Sequence, residues 1–287
     1  MNLLNSPQVR RIVHSALRED IGRGDRTSML FIPRDRCGKA SIILRERGVI
    51  CGLPVARLVF RSLSPRLRFR ALRREGAFVA PGTVVAEIRG RLRDILAGER
   101  VALNFLQRLS GIATLTRSFV DRVRGTGAGI FDTRKTTPLL RVLEKYAVKT
   151  GGGTNHRMRL DDAVLIKSNH LRVFGRGDLA ATIRRARRAV PRGGFVEIEA
   201  KSVAEAVAFA RLDVDVLMLD NFTAAQMKSA VRRIRALNEK VGIEASGGVD
   251  LKSVREIAAT GVDRISVGML THSFRSMDIA LRVIDTD

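Results

Sequence analysis

The residues of this chain best suited to chemistry stand at the ends of six short apolar runs in its second half. Ala128–Phe131 leads into Asp132-Thr133-Arg134-Lys135, Ala163–Ile166 into Lys167, and Val216–Leu219 into Asp220. Gly242–Ala245 leads into Ser246-Gly247-Gly248 and Arg264–Val267 into Gly268, while Phe195–Glu199 ends on its own carboxylate. Runs of four or five residues rich in Val, Ile and Leu, separated by helix-length amphipathic segments, predict buried parallel strands joined by crossover helices. Loops after the carboxyl ends of such strands build the active sites of α/β barrels, so these endings read as parts of one site.

The residue types specify its ligand. Arginine forks match planar carboxylates and lysine acts as a point charge toward phosphate. Arg134, Lys135, Arg157 and Lys167, with His156 nearby in sequence, therefore call for a ligand carrying several carboxylates and phosphates. Ser246-Gly247-Gly248 and Gly268 offer unobstructed backbone amides where the last strands of a barrel cradle phosphate. Strand alternation puts Glu197 and Glu199 on one face, Lys167 with Leu165, Asp220 with Met218, and Glu244 with Ser246, all toward the barrel interior. A structural ion pair of Lys167 with a glutamate is the competing reading, as is pairing of Arg157 with Asp161 or Asp162.

Other segments must position these ends. Ser6 and Pro7 open an amphipathic helix to Arg18, and Lys39–Ile50, Leu67–Leu72 and Thr83–Ile88 predict an antiparallel sheet. Leu92–Val123 predicts one or two helices with a break near Gly98 or Gly111. Ser202 with Glu205 and Thr223 with Gln226 fit capping boxes, and Asp178 and Asp250 fit single N-caps. Six strands fall short of the eight of a closed barrel, so the fold class is α/β, an N-terminal α/β sandwich domain (residues 1–112) followed by an open, incomplete α/β barrel (113–287). An open doubly wound sheet would carry a glycine-rich dinucleotide turn after its first strand, and none is present there.

Composition narrows the classes. The chain has 287 residues, 45% of them hydrophobic, and two cysteines, too few for a disulfide framework. It has no run of eighteen apolar residues and no secretory leader pattern at its start, so a cytoplasmic protein is expected, without membrane partners. The formal charge of +23 admits nucleic acid as a partner, yet the chain has no Trp and one Tyr, so no stacking platform and no nucleic-acid binding are expected. A polyanionic small substrate accounts for the cations instead.

In order and spacing, DTRKTTP, EKYAVKTGGGTNHR, VLIKSNH, VEIEAKS, MLDN, EASGGV and ISVGMLTH resemble the quinolinate phosphoribosyltransferases. EDIGRGDRTS and ERVALNFLQRLSGIAT extend the resemblance from about Glu19 to His272. It implies a type II phosphoribosyltransferase of NAD biosynthesis. Quinolinate and phosphoribosyl pyrophosphate would give nicotinate mononucleotide, pyrophosphate and carbon dioxide, with Mg2+ as cofactor and no pyridoxal phosphate.

By the same resemblance Arg134, His156, Arg157 and Lys167 receive the quinolinate carboxylates, joined by Arg100 across a homodimer with shared sites, or a higher oligomer. Thr133, Lys135, Lys167 and His272 line the phosphate and pyrophosphate side, Glu199 and Asp220 hold the ribose hydroxyls and the metal, and Ser246, Gly247, Gly248 and Gly268 hold the 5′-phosphate. Lys135, Lys167, Glu199 and Asp220 are the catalytic set so implied. The family fold is a sandwich followed by an open seven-stranded barrel. Three positions depart from the family pattern: Leu139 and Arg159 stand where Gly is common, and Ser168 where Asp is common. A paralogue associated with molybdate transport, acting on another anionic substrate, is the alternative.

Overall fold

A computed structural model describes residues 6–175 and 177–286. Ser6 caps α1 (Pro7–Ile21) by accepting the Val9 N–H, and the apolar stripe Val9, Val13, Leu17 is buried. α2 (Arg26–Phe31), β1 (Cys37–Leu44), β2 (Gly48–Val49), α3 (Leu53–Leu63), β3 (Arg68–Ala71), β4 (Phe78–Val79) and β5 (Thr83–Arg91) follow. β1 and β3 flank β5 in antiparallel register, and β2 pairs with β4. α4 (Leu92–Arg122) then runs unbroken through both glycines where a break was expected. Those glycines serve close packing: a Cβ on Gly111 would collide with the Arg275 carbonyl oxygen, and one on Gly98 would lie 2.7 Å from the Leu63 side chain.

The barrel elements are β6 (Gly129–Phe131), α5 (Arg141–Thr150), β7 (Val164–Ile166), α6 (Ser168–Phe174), α7 (Leu179–Ala189), β8 (Val196–Ala200) and α8 (Val203–Phe209). They continue with β9 (Val216–Asp220), α9 (Ala224–Leu237), β10 (Gly242–Ser246), α10 (Val254–Ala258), β11 (Arg264–Ser266) and α11 (Met269–His272). The six strands pair in the order β6-β11-β10-β9-β8-β7, all parallel, so β6 and β7 stay apart and the barrel is open. The resemblance implies seven strands. Among the described residues the seventh place is one parallel bridge between Phe131 and Thr154, whose N–H donates to the Ile130 carbonyl at 2.8 Å. The glycine run Gly151–Gly153 just before it is a poor strand former, which fits so short a pairing.

Helix starts follow the sequence with two refinements. Thr223 and Gln226 form the reciprocal capping box and Asp178 caps α7. Ser202 accepts the Glu205 N–H, but the Glu205 carboxylate takes the N–H of Lys201 instead of closing a box. Asp250 accepts the N–H groups of Lys252 and Ser253, capping the turn ahead of α10.

β12 (Ile279–Thr286) returns to pair antiparallel with β1, giving a four-stranded sheet β12-β1-β5-β3. The described chain falls into two compact units. One holds the segment through Arg117, Thr137–Gly152 and the segment from Phe274; the other holds Ser118–Thr136 and Gly153–Ser273. They interleave along the sequence, where an unbroken division between 112 and 113 was expected.

Candidate active site

The carboxyl ends of the parallel strands surround a cavity of about 770 Å³, a size that holds small-molecule ligands. The two-residue strand period operates here: Leu165 and Lys167, Met218 and Asp220, Glu244 and Ser246, and Glu199 all line it. Thr133, Arg134, Lys135, His156, Arg157, Gly247, Gly248 and Gly268 join them from the loops and His272 from α11. Arg100 is not among the lining residues; it is exposed on α4.

Lys167 and Arg157 make no ion pair among the described residues. Lys167 is exposed, and its backbone N–H donates to Nδ1 of His170 at 2.8 Å. The ion pair with a glutamate weighed from sequence is therefore replaced by a free ammonium. Arg157 donates to the Ala163 carbonyl at 2.9 Å, and Asp161 and Asp162 pair with Arg159 instead. Arg159 thus serves an exposed loop, so this departure from the family pattern leaves the cavity intact. Burial and the adjacent charge of Arg134 both pull the Arg157 pKa down. Two guanidiniums repelling one another at a cavity wall favour an anionic ligand between them.

Opposite in sign are Glu199 and Asp220, at the ends of neighbouring strands β8 and β9. Lys201, absent from the residues expected in the site, reaches both: its Nζ lies 2.5 Å from Asp220 and 3.5 Å from Glu199. Glu199 also accepts the Ser168 N–H at 3.3 Å, a bond from the backbone at the Ser-for-Asp departure. Asn221 donates to Asp220 at 2.9 Å and holds φ at 58°, a left-handed conformation that Asn tolerates. Its side chain packs so tightly on Gly247 that a Cβ there would collide with it, and Gly247 itself has φ of 99°. Glycine is therefore required at Gly247 on both counts. VEIEAKS and MLDN held the signals for Lys201 and Asn221, as polar residues one or two places beyond a strand-end carboxylate.

His156 and Glu244, which line the cavity, form a buried cluster with Glu197. Nε2 of His156 lies 3.1 Å from Glu197 and 3.5 Å from Glu244, while Nδ1 accepts the Arg157 N–H at 2.9 Å. The His156 N–H donates to buried Asp132, and the ring stands edge-on to Phe195. An imidazole accepting at Nδ1 carries its proton on Nε2, facing the carboxylates, so a proton closes this cluster and leaves no ring lone pair for a metal ion. Desolvation opposes a second proton, whereas hydrogen bonds to Glu197 and Glu244 favour it and hold the pKa up at about 9. The Arg157 N–H at Nδ1 opposes it too. Burial and the Glu244 charge raise the Glu197 pKa, and Glu244 itself accepts from the Ser266 hydroxyl at 2.5 Å. His156, with Nδ1 taken by the Arg157 N–H and Nε2 nearest Glu197, still reaches the cavity wall.

At the far wall Gly268 approaches two cationic candidates: a Cβ there would lie 3.0 Å from Nε2 of His272 and 3.0 Å from Cδ of Lys135. Backbone amides, an imidazole and a lysine meeting in this way suit phosphate oxygens.

A family model for the quinolinate phosphoribosyl transferase C-terminal domain matches residues 112–282, and one for the N-terminal domain matches residues 25–110. A probable nicotinate-nucleotide pyrophosphorylase (carboxylating) of Synechocystis is 41% identical over 93% of this chain and 90% of its own. The corresponding protein of Mycobacterium leprae is 40% identical over 95% and 96%. The crystal structure of NadC from Streptococcus pyogenes superposes with a TM-score of 0.90 at 37% identity, covering 98% of each chain.

Proposed function

The chain belongs to the quinolinate phosphoribosyltransferase family, and we infer from that membership that it transfers the phosphoribosyl group of phosphoribosyl pyrophosphate to quinolinate. Decarboxylation accompanies transfer and the product is nicotinate mononucleotide, a step of NAD biosynthesis. The molybdate-associated paralogue is not favoured by the relatives above. The observation that carries the residue-level reading is the meeting, in one cavity, of Arg134, Arg157, Lys135 and Lys167 with the Glu199–Asp220 pair and the Ser-Gly-Gly turn.

In this reading Arg134 and Arg157 grip the quinolinate carboxylates and turn the ring nitrogen toward the anomeric carbon. His156 supplies ring surface at the same end. Glu199 and Asp220 hold the ribose hydroxyls, and their charge favours the positive sugar that develops as the bond to pyrophosphate breaks. Lys135, Lys167, His272 and Thr133 take the departing pyrophosphate, and the amides of Ser246, Gly247, Gly248 and Gly268 take the 5′-phosphate. Once the ring nitrogen is bonded to the sugar, its positive charge stabilises the electron pair left at the adjacent carbon when carbon dioxide departs. A proton then completes the product.

Glu199 and Asp220 offer hard oxygen donors and already share one cation, the Lys201 ammonium, so the donor set fits Mg2+. Bound there, Mg2+ would supply charge neutralisation of the pyrophosphate.

We place Arg100 in the site of a second copy, completing the carboxylate-binding cations in a homodimer. Exposed apolar surface on α2, where Leu30 and Phe31 are each 81% exposed, suits burial between copies. No helix among the described residues is long and apolar enough to cross a membrane; phosphorylated substrates support a cytoplasmic site of action. The test is formation of nicotinate mononucleotide and carbon dioxide from quinolinate and phosphoribosyl pyrophosphate by the purified protein. Mixing inactive Arg100→Ala and Lys167→Ala chains should restore part of the activity. No product in the first experiment refutes the reaction, and no recovery in proven mixed dimers refutes the shared site.

A further inference from the structure

Thr271 lies on α11 and is buried, with 1% of its surface exposed. Its hydroxyl donates to the backbone carbonyl of Lys135 at 2.7 Å, with the Gly268 carbonyl as a longer alternative acceptor at 3.3 Å. Its backbone N–H donates to the same Gly268 carbonyl at 3.2 Å. One small side chain therefore joins the loop after β6 to the turn after β11.

The position of Lys135 depends on such main-chain anchors. Its side chain is exposed and makes no ion pair among the described residues. Its N–H donates to Oγ1 of Thr133 at 3.0 Å, and its carbonyl takes the Thr271 hydroxyl. Cδ of Lys135 also runs beside Gly268, where an added Cβ would lie only 3.0 Å away. A shift of the Lys135 backbone moves the ammonium and opens this packing together.

We propose that Thr271 is a positioning residue for phosphoribosyl pyrophosphate, fixing the Lys135 ammonium relative to the Gly268 amide. The two then engage the phosphoryl groups of one substrate at a set spacing. This rests on the assignment above of Lys135 and Gly268 to phosphate, and it adds a residue that touches neither phosphate. Valine has nearly the shape of threonine but cannot donate, so Thr271→Val leaves the part-buried Lys135 carbonyl without that donor.

Steady-state kinetics of Thr271→Val, Thr271→Ser, Thr271→Ala and Lys135→Ala, varying each substrate in turn, test the proposal. Thr271→Val and Thr271→Ala should raise KM for phosphoribosyl pyrophosphate about tenfold, the scale of one lost hydrogen bond, with KM for quinolinate unchanged. Thr271→Ser should recover most of the loss. Equal rises in both KM values, a fall in kcat alone, or no recovery with serine would overturn the positioning role and leave a purely structural one. If Lys135→Ala leaves KM for phosphoribosyl pyrophosphate unchanged, the assignment of Lys135 fails and the proposal falls with it. If Lys135→Ala raises that KM and Thr271→Val does not, only the inference about Thr271 fails.

Discussion

The Lys201 ammonium lies 2.5 Å from the Asp220 carboxylate, an internal cation placed on one of the two acids assigned to the ribose and Mg2+. The hydrogen bond to Asp220 is the main influence raising the Lys201 pKa, with Glu199 adding to it. An ion entering between Glu199 and Asp220 meets this charge. Lys201→Met should therefore lower the Mg2+ concentration for half-maximal activity about two- to fivefold, the scale of one exposed charge pair. A Mg2+ titration of initial rate checks this, and an unchanged or higher requirement would contradict it.

Lys167 makes no ion pair among the described residues that its loss could strand. Its removal should cost chemistry and spare the fold: Lys167→Ala should lower single-turnover rate about 10²–10³-fold, or roughly 3–4 kcal/mol, with little change in Tm. A large fall in Tm with near-normal chemistry in the folded fraction would sink its role in catalysis.

Glu144 is fully buried on α5 and paired with Arg108. Its carboxylate accepts from Nε of Arg108 at 3.0 Å and from the Thr137 N–H at 3.1 Å, and Nη2 of Arg108 bonds it as well. Arg108→Met should destabilise by about 3–5 kcal/mol because it strands a buried carboxylate. Adding Glu144→Leu should return a large part of that loss. Urea unfolding of the two variants decides, and equal stability of Arg108→Met and the parent would rule the pair out as a structural element.

Leu139 holds φ at 66°, in the left-handed region, with its side chain 83% exposed. This gives a physical reason for the glycine common at that place in the family: a Cβ there is strained and this one buries little. Leu139→Gly should stabilise by about 0.5–1 kcal/mol, the relief of left-handed strain less the added freedom of the unfolded chain. A lower Tm would show that the leucine packs favourably.

The strands of the barrel were legible because the apolar runs stop where the backbone leaves the sheet. Asp220 ends β9 as read, Glu199 stands one residue before the end of β8, and parity alone turned Leu165, Met218 and Glu244 toward the cavity. What escaped reading depends on contacts distant in sequence. β12 is a strand only because β1 offers it an edge, since Ile279–Ile284 carries no clear alternation of its own. The α3 helix lacks a capping side chain at Gly52, and its first N–H groups are met by Glu75 from 22 and 23 residues away.

The central claim is that the cations of the cavity select a ligand with two carboxylates, and substrate discrimination tests it most directly. With phosphoribosyl pyrophosphate saturating, kcat/KM for quinolinate should exceed that for nicotinate by at least about 10²-fold, because one carboxylate leaves part of the Arg134–Arg157 charge unmatched in a partly buried wall. Comparable kcat/KM values for the two acids would contradict the account.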